Sequence, residues 1–152
     1  MNQSRKKSFC YEYARPAVTV DVVIVTQEAP RRVLLIRRKS EPFTGDWAIP
    51  GGFVDEHETL EEAARRELLE ETGVEAGELI PLQAFGDPGR DPRGWTISIA
   101  YLAEVNPDEM KPRADSDAAE VGWHSLHRRP QLAFDHAKIL ACARRYLSHS
   151  EK

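Results

Sequence analysis

The segment from Thr59 to Gly73 constrains this chain more than any other, because it must be a helix and yet carries charge where a helix should be apolar. Thr59 and Glu62 form a capping box, in which each side chain satisfies a backbone N–H that the first turn leaves without a partner. Gly73 is a suitable left-handed terminator, and apolar Val74 follows it. With Leu60 placed at zero and about 100° per residue, Ala64 falls at about 40°, Ala63 at about 300° and Leu68 at about 80°. These make one apolar stripe. Glu67, at about 340°, and Glu71, at about 20°, lie inside that stripe, and Glu70 lies at its edge at about 280°. Carboxylates are almost never buried without a partner, and three together repel one another.

Arg66 is one partner, but one guanidinium does not balance three carboxylates. A divalent cation would. Oxygen ligands without His or Cys suit Mg²⁺, or Mn²⁺, better than zinc. The bland alternative is a solvated, glutamate-rich helix held by small pairwise energies.

The chain has room for one core. It holds 152 residues, 41% hydrophobic and 30% charged, which excludes disorder and collagen-like repeats. Its two cysteines, Cys10 and Cys142, match no metal or redox spacing and are expected as reduced thiols. A formal net charge of -4 gives no global reason to coat a phosphate polymer, so no nucleic-acid partner is expected, although a local basic patch is compatible with that sum. No apolar run follows the basic N-terminus and none approaches membrane-spanning length, so no membrane partner and a cytoplasmic location are expected.

Residues 1–15 read as a polar arm with aromatic anchors, Phe9, Tyr11 and Tyr13, and residues 16–152 as a single domain. Ala17 to Thr26 is β-branched and apolar, the pattern of a buried strand, and Val33 to Arg37 should return as its hairpin partner. Further strands are expected at Leu79 to Phe85, Thr96 to Val105 and Val121 to Trp123, with a last helix over Leu132 to Leu147. The Pro-Gly-Gly at 50–52 and the stretch GDPGRDPRG read as loops.

At this point the sequence resembles a known family. Gly52, Glu58 and the run Arg66-Glu67-Leu68-Leu69-Glu70-Glu71-Thr72-Gly73-Val74 fit the Nudix box, G-x5-E-x7-R-E-U-x-E-E-x-G-U, at every fixed position. The flanking WAIPGGFV and the Gly122-Trp123 pair extend the likeness. The resemblance implies an α/β fold, an α/β/α sandwich with a central mixed sheet, and a metal-dependent hydrolase of a nucleoside diphosphate linked to another moiety. It implies Glu67 and Glu71 as metal ligands, Glu70 as a further ligand, and a backbone carbonyl of Gly51 or Gly52 beside them. Glu58 and Arg66 would orient the cluster. Such enzymes often take a further carboxylate from the loop before a tryptophan like Trp123, which offers Asp115, Asp117 and Glu120, with Glu120 preferred narrowly over Asp117.

The stretches YARPAVTVDVVI, FGDPGRDPRGWTISIAYLA and LAFDHAKIL are similar to bacterial ADP-ribose pyrophosphatases. On that likeness Arg90, Asp91 and Arg93 form a loop that meets a diphosphate and a ribose, since the guanidinium fork suits phosphate. Mutual pairing of these residues at the surface is the bland alternative. A proline that marks many ADP-ribose hydrolases would fall at Arg90, and only Pro88 and Pro92 stand near it. Trp47, Phe53, Trp95 and Tyr13 are candidates to stack on adenine, whereas His136 reads as structural. Two other functions stay open: a MutT-like nucleoside triphosphate pyrophosphohydrolase, and a non-catalytic domain that senses ADP-ribose. Homodimers are common among such members, and the aromatic arm is the candidate interface.

Overall fold

The computed structural model describes residues 8–151, so the basic residues at the start of the arm lie outside it. In chain order the elements are β1 (Ala17–Thr26), β2 (Arg32–Arg38), β3 (Trp47–Ala48), β4 (Gly51–Phe53), α1 (Leu60–Thr72), β5 (Ile80–Phe85), β6 (Thr96–Val105), β7 (Ala118–Ser125) and α2 (His136–Ser150). A short 3-10 turn, Pro107–Glu109, lies in the loop before β7.

β1 is the middle of the sheet, and its sequence shows why. Side chains alternate between faces along a strand. Val20, Val22 and Ile24 pack with Ala63, Ala64 and Leu68 of α1, while Val23 and Val25 pack with Ile139, Leu140 and Ala143 of α2. Both faces are covered, so the strand reads as a continuous apolar run. This is the expected α/β/α sandwich. Its sheet is mixed, since β1 runs parallel to β6 from Ala17↔Thr96 to Thr26↔Val105, whereas the other pairings are antiparallel.

The expected hairpin closes only at its base. β1 and β2 share the single register pair Val25↔Val33 and then diverge. β2 turns to β7 and β3, and β4 fills the gap against β1 through Asp21↔Gly51, Val20↔Gly52 and Thr19↔Phe53. That divergence opens a wedge in the sheet, and the Pro-Gly-Gly segment sits in it. β3 and β4 were not foreseen as strands, because two or three residues around Pro50 carry no readable period.

Helix α1 follows its local signals. The Glu62 N–H donates to Thr59 Oγ1 at 3.1 Å, the Thr59 N–H donates to Glu62 Oε2 at 2.7 Å, and Gly73 stands at φ 69°. The cap contributes about 1 kcal/mol. Helix α2 starts later than expected, because Phe134 adopts φ 52° and Leu132 bridges to Trp47 instead of coiling. It also runs three residues further, to Ser150. Cys10 and Cys142 are both free thiols. Among the described residues, no helix is long and apolar enough to cross a membrane.

Candidate active site

A cleft of about 260 Å³ opens where β1 and β2 part. Its walls include Glu67 and Glu71 from α1, Gly51, Gly52 and Phe53 from β4, Asp21 from β1, Arg38 from β2, Asp117 from the loop before β7, and His136 at the start of α2.

The glycines are there for closeness. A Cβ on Gly51 would overlap the Val20 carbonyl, and one on Gly52 would overlap the Glu67 carboxylate. The bare backbone lets β4 lie directly against both β1 and α1. Glu71 is 6% exposed and accepts the Gly51 N–H at 3.0 Å. Burial pushes its pKa up to about 8, against the help of that amide, and the charges of Glu67, Asp21 and Asp117 add to the rise. Burial also raises the Glu67 pKa, outweighing its bond to Arg66.

Arg66 is the hub of the acidic face. Its Nη2 and Nε donate to the two oxygens of Glu58 at 2.6 and 3.0 Å, Nη1 donates to Glu67 at 2.8 Å, and Nη2 also reaches the Phe53 carbonyl at 3.0 Å. Glu58 in turn accepts the Asp55 N–H at 2.6 Å. The Arg66 bond, then the Asp55 amide, hold the Glu58 pKa down to about 2. Arg66 therefore ties α1 to the loop that follows β4.

The donor set fits a hard divalent cation. Glu67, Glu71 and the backbone carbonyls of Gly51 and Gly52 are oxygen ligands, and the burial that makes the two carboxylates hard to ionise is what a cation would offset. Among the described residues no three acidic, His or Cys side chains are already gathered as a metal cluster. Glu67 Oε1 accepts from Arg66 and Glu71 Oε2 from the Gly51 amide, which leaves the second oxygen of each carboxylate without a protein hydrogen bond among the described residues.

Other expected residues are placed differently. Glu70 is outside the cleft wall, with its side chain 48% exposed and 3.4 Å from Arg66. Glu120 is also outside it, paired with Arg37 across the β2–β7 ladder at 3.2 Å, while Asp117 lines the cleft. Trp47 is not a cleft residue either, since its ring stacks edge-on against His124 and packs on the α2-side core. Trp95 and Tyr13 are exposed and do not line the cleft. Phe53 does line it.

Arg90, Asp91 and Arg93 all reach the cleft, but each is already paired. Arg90 is buried in a two-bond ion pair with Asp135, at 2.7 and 2.9 Å. Asp91 accepts the Arg93 backbone N–H at 2.9 Å and its side chain at 2.8 Å. Burial works against the Asp91 charge, and the bonds from Arg93 overcome it, so its pKa is lowered.

Sequence reasoning passed over Asp21, and the signal was present as one acid inside an apolar strand. Asp21 accepts the Ser98 hydroxyl and stands 3.4 Å from His136 Nε2. His136 Nδ1 accepts the Ile49 N–H at 3.0 Å, so its proton belongs on Nε2, facing Asp21. Burial lowers the His136 pKa and keeps the ring neutral. The chain Ser98–Asp21–His136–Ile49 thereby anchors the backbone two residues before Gly51.

The chain is similar in sequence and fold to known proteins. The model of the NUDIX domain matches residues 15–142. The chain is 46% identical over 128 residues to an ADP-ribose pyrophosphatase of Methanocaldococcus jannaschii, covering 84% of this chain and 73% of that protein. It is 34% identical to an ADPR-responsive transcriptional repressor of Acinetobacter baylyi, covering 92% of this chain but only 60% of the repressor. Among solved structures, the NUDIX domain of Shewanella oneidensis NrtR complexed with ADP-ribose superimposes with a TM-score of 0.82 at 33% identity, covering 89% of this chain and 90% of that one. A family model spanning the sheet, α1 and the first half of α2, together with an α1 that presents Glu67 and Glu71 to a cleft floored by Gly51 and Gly52, leads to one assignment: the chain belongs to the NUDIX domain family.

Proposed function

We propose that the protein is a Mg²⁺- or Mn²⁺-dependent pyrophosphohydrolase that cleaves ADP-ribose with water to AMP and ribose 5-phosphate. One observation carries the reading: Glu67 and the buried Glu71 face a cleft that several arginines also enter, in a chain 46% identical to an ADP-ribose pyrophosphatase. When bound, a divalent cation supplies charge neutralisation at the diphosphate and a lowered pKa for the attacking water. Glu67, Glu71 and a carbonyl of Gly51 or Gly52 hold it. Arg66 is a positioning residue that sets the Glu67 rotamer through its bonds to Glu58 and Phe53. Asp117 replaces Glu120 as the loop carboxylate that takes the proton of the attacking water, because Asp117 is on the cleft wall. Phe53 offers its 40% exposed ring to the substrate.

The reading includes a cytoplasmic location, a small nucleotide as substrate and no nucleic-acid partner. Exposed Phe9, Tyr11 and Tyr13 support a homodimer, and light scattering that finds a monomer at micromolar concentration removes it.

The test is a substrate panel with purified protein and Mg²⁺, resolved by chromatography. AMP appearing fastest from ADP-ribose supports the reading. Nucleoside monophosphate and pyrophosphate from a triphosphate would replace it with the MutT-like activity. Tight ADP-ribose binding without turnover would favour the sensor, the second reading, to which the likeness to NrtR lends support.

A further inference from the structure

Residues 47–51 cross from β3 to β4 through Pro50, which has no N–H to give a ladder, so strand neighbours alone do not hold this run. The Trp47 carbonyl accepts the Ala133 N–H at 2.8 Å, and the Pro50 carbonyl accepts the Val22 N–H at 2.8 Å. Two further bonds use side chains. Gly51 gives its N–H to Glu71 at 3.0 Å, and Ile49 gives its N–H to His136 Nδ1, also at 3.0 Å and 87 residues away in the chain. Ile49 is buried, and a buried N–H needs a partner. His136 takes the place that a strand carbonyl fills elsewhere in the sheet.

The imidazole that makes this bond is itself fixed. It is buried, and its Nε2 stands 3.4 Å from Asp21 Oδ1. The other oxygen of Asp21 accepts the hydroxyl of buried Ser98 on β6. Asp21 lies in central β1, in register with Gly51 on one side and Ala100 on the other. A Cβ on Gly51 would come within 2.7 Å of Asp21 Oδ1, so the carboxylate lies directly against that glycine. Histidine suits the position because a neutral ring accepts at one nitrogen and donates at the other. Burial lowers its pKa and keeps it in that neutral form.

We infer that His136, oriented by Asp21 and Ser98, is a positioning residue for the divalent-cation site, because its Nδ1 sets the path of the backbone from Ile49 to Gly51. That path places the Gly51 and Gly52 carbonyls and the amide that holds Glu71. The inference rests on the proposed function only for the presence of a cation at Glu67 and Glu71. His136 is not itself a ligand: its Nδ1 lone pair is taken by Ile49, and its Nε2 proton faces Asp21.

Amide side chains separate the two ring atoms. His136→Asn can put an oxygen where Nδ1 stands and keep the Ile49 bond. His136→Gln reaches the Nε2 position, towards Asp21, and leaves the Ile49 N–H without its acceptor. Mn²⁺ affinity is measured by electron paramagnetic resonance for wild type and both variants, at the site that Glu71→Gln abolishes, with a melting temperature for each. His136→Gln should weaken Mn²⁺ binding roughly 10- to 100-fold, while His136→Asn stays within about threefold of wild type. Should His136→Gln not fold, Ser98→Ala gives the reading, since it removes only the hydroxyl that holds Asp21 and should weaken Mn²⁺ binding roughly tenfold. A histidine that only stabilises the fold would lower the melting temperature and leave Mn²⁺ affinity unchanged. That result in His136→Gln, or in Ser98→Ala if that is the folded variant, overturns the inference, as does equal weakening by Asn and Gln. Mn²⁺ binding that depends on His136, in a wild type that does not hydrolyse ADP-ribose, sinks the proposed activity and keeps this inference. Turnover with Mn²⁺ affinity indifferent to His136 does the reverse.

Discussion

The Gly51 N–H donates to the buried Glu71 carboxylate at 3.0 Å, so the end of α1 and the start of β4 are held by one bond. The carboxylate pays for that position with a pKa pushed up to about 8. The sign of the consequence follows. A carboxyl whose folded pKa exceeds its unfolded value of 4.5 leaves stability intact below 4.5 and removes it as pH rises to about 8. Metal-free protein should therefore lose on the order of a few kcal/mol across that window through Glu71 alone. His136 titrates the other way, since its lowered pKa gives stability above the unfolded value of 6.5 that is lost as pH falls. Comparing wild type with Glu71→Gln isolates the first effect. In chelator, the variant should melt several degrees above wild type at pH 8 and near it at pH 4.5; with Mg²⁺, only the wild type should gain. Parallel melting curves at every pH would show that Glu71 ionises normally.

Gly51 and Gly52 should fail in different ways. A methyl on Gly52 meets the movable end of Glu67, while one on Gly51 meets the fixed Val20 carbonyl. Gly52→Ala is expected to fold within about 1 kcal/mol of wild type and to lose Mn²⁺ affinity at least roughly tenfold. Gly51→Ala is expected to lose several kcal/mol of stability, on the order of overpacking a core. Denaturant melts and Mn²⁺ titration followed by electron paramagnetic resonance separate the two, and equal behaviour would remove the distinction.

The ion pair with Asp135 predicts that Arg90 acts as a structural residue. Removing one partner of its buried pair with Asp135 leaves the other charge stranded, at about 3–5 kcal/mol. Arg90→Ala should thus lower the melting temperature steeply. Arg90→Met combined with Asp135→Leu should recover most of the loss, since neither charge then remains buried. If the single variant melts like wild type and only KM rises, Arg90 is a substrate ligand instead.

Asp117 and Glu120 give the direct comparison of the loop carboxylates. Asp117→Asn should lower kcat at least about 100-fold, the scale for losing a general base. Glu120→Gln removes one exposed ion pair and should change kcat less than about twofold. The opposite ranking would return the role to Glu120.

Much of this architecture is written in local patterns. Thr59, Glu62 and Gly73 specify where α1 starts and stops, because caps depend on neighbours within one turn. The run from Ala17 to Thr26 announces a strand covered on both faces, and Glu67 and Glu71 fall in the apolar stripe because helical geometry leaves them nowhere else. The spacing from Gly52 to Val74 carried the family as well.

Partnership was decided elsewhere. Whether β2 stays with β1 or leaves it after Val25↔Val33 depends on β7, a strand far along the chain. That departure puts Arg38 and Asp117 on the cleft wall and leaves Glu120 paired with Arg37 outside it. It takes Asp135, 45 residues away in the chain, to turn Arg90 from a candidate phosphate ligand into a buried ion pair. Likewise, Asp21 and His136 look unremarkable until β1 and α2 meet. Caps and periodicity are short-range physics and can be read in one dimension; which charge is neutralised by which depends on contacts between distant segments, and only the folded chain supplies those.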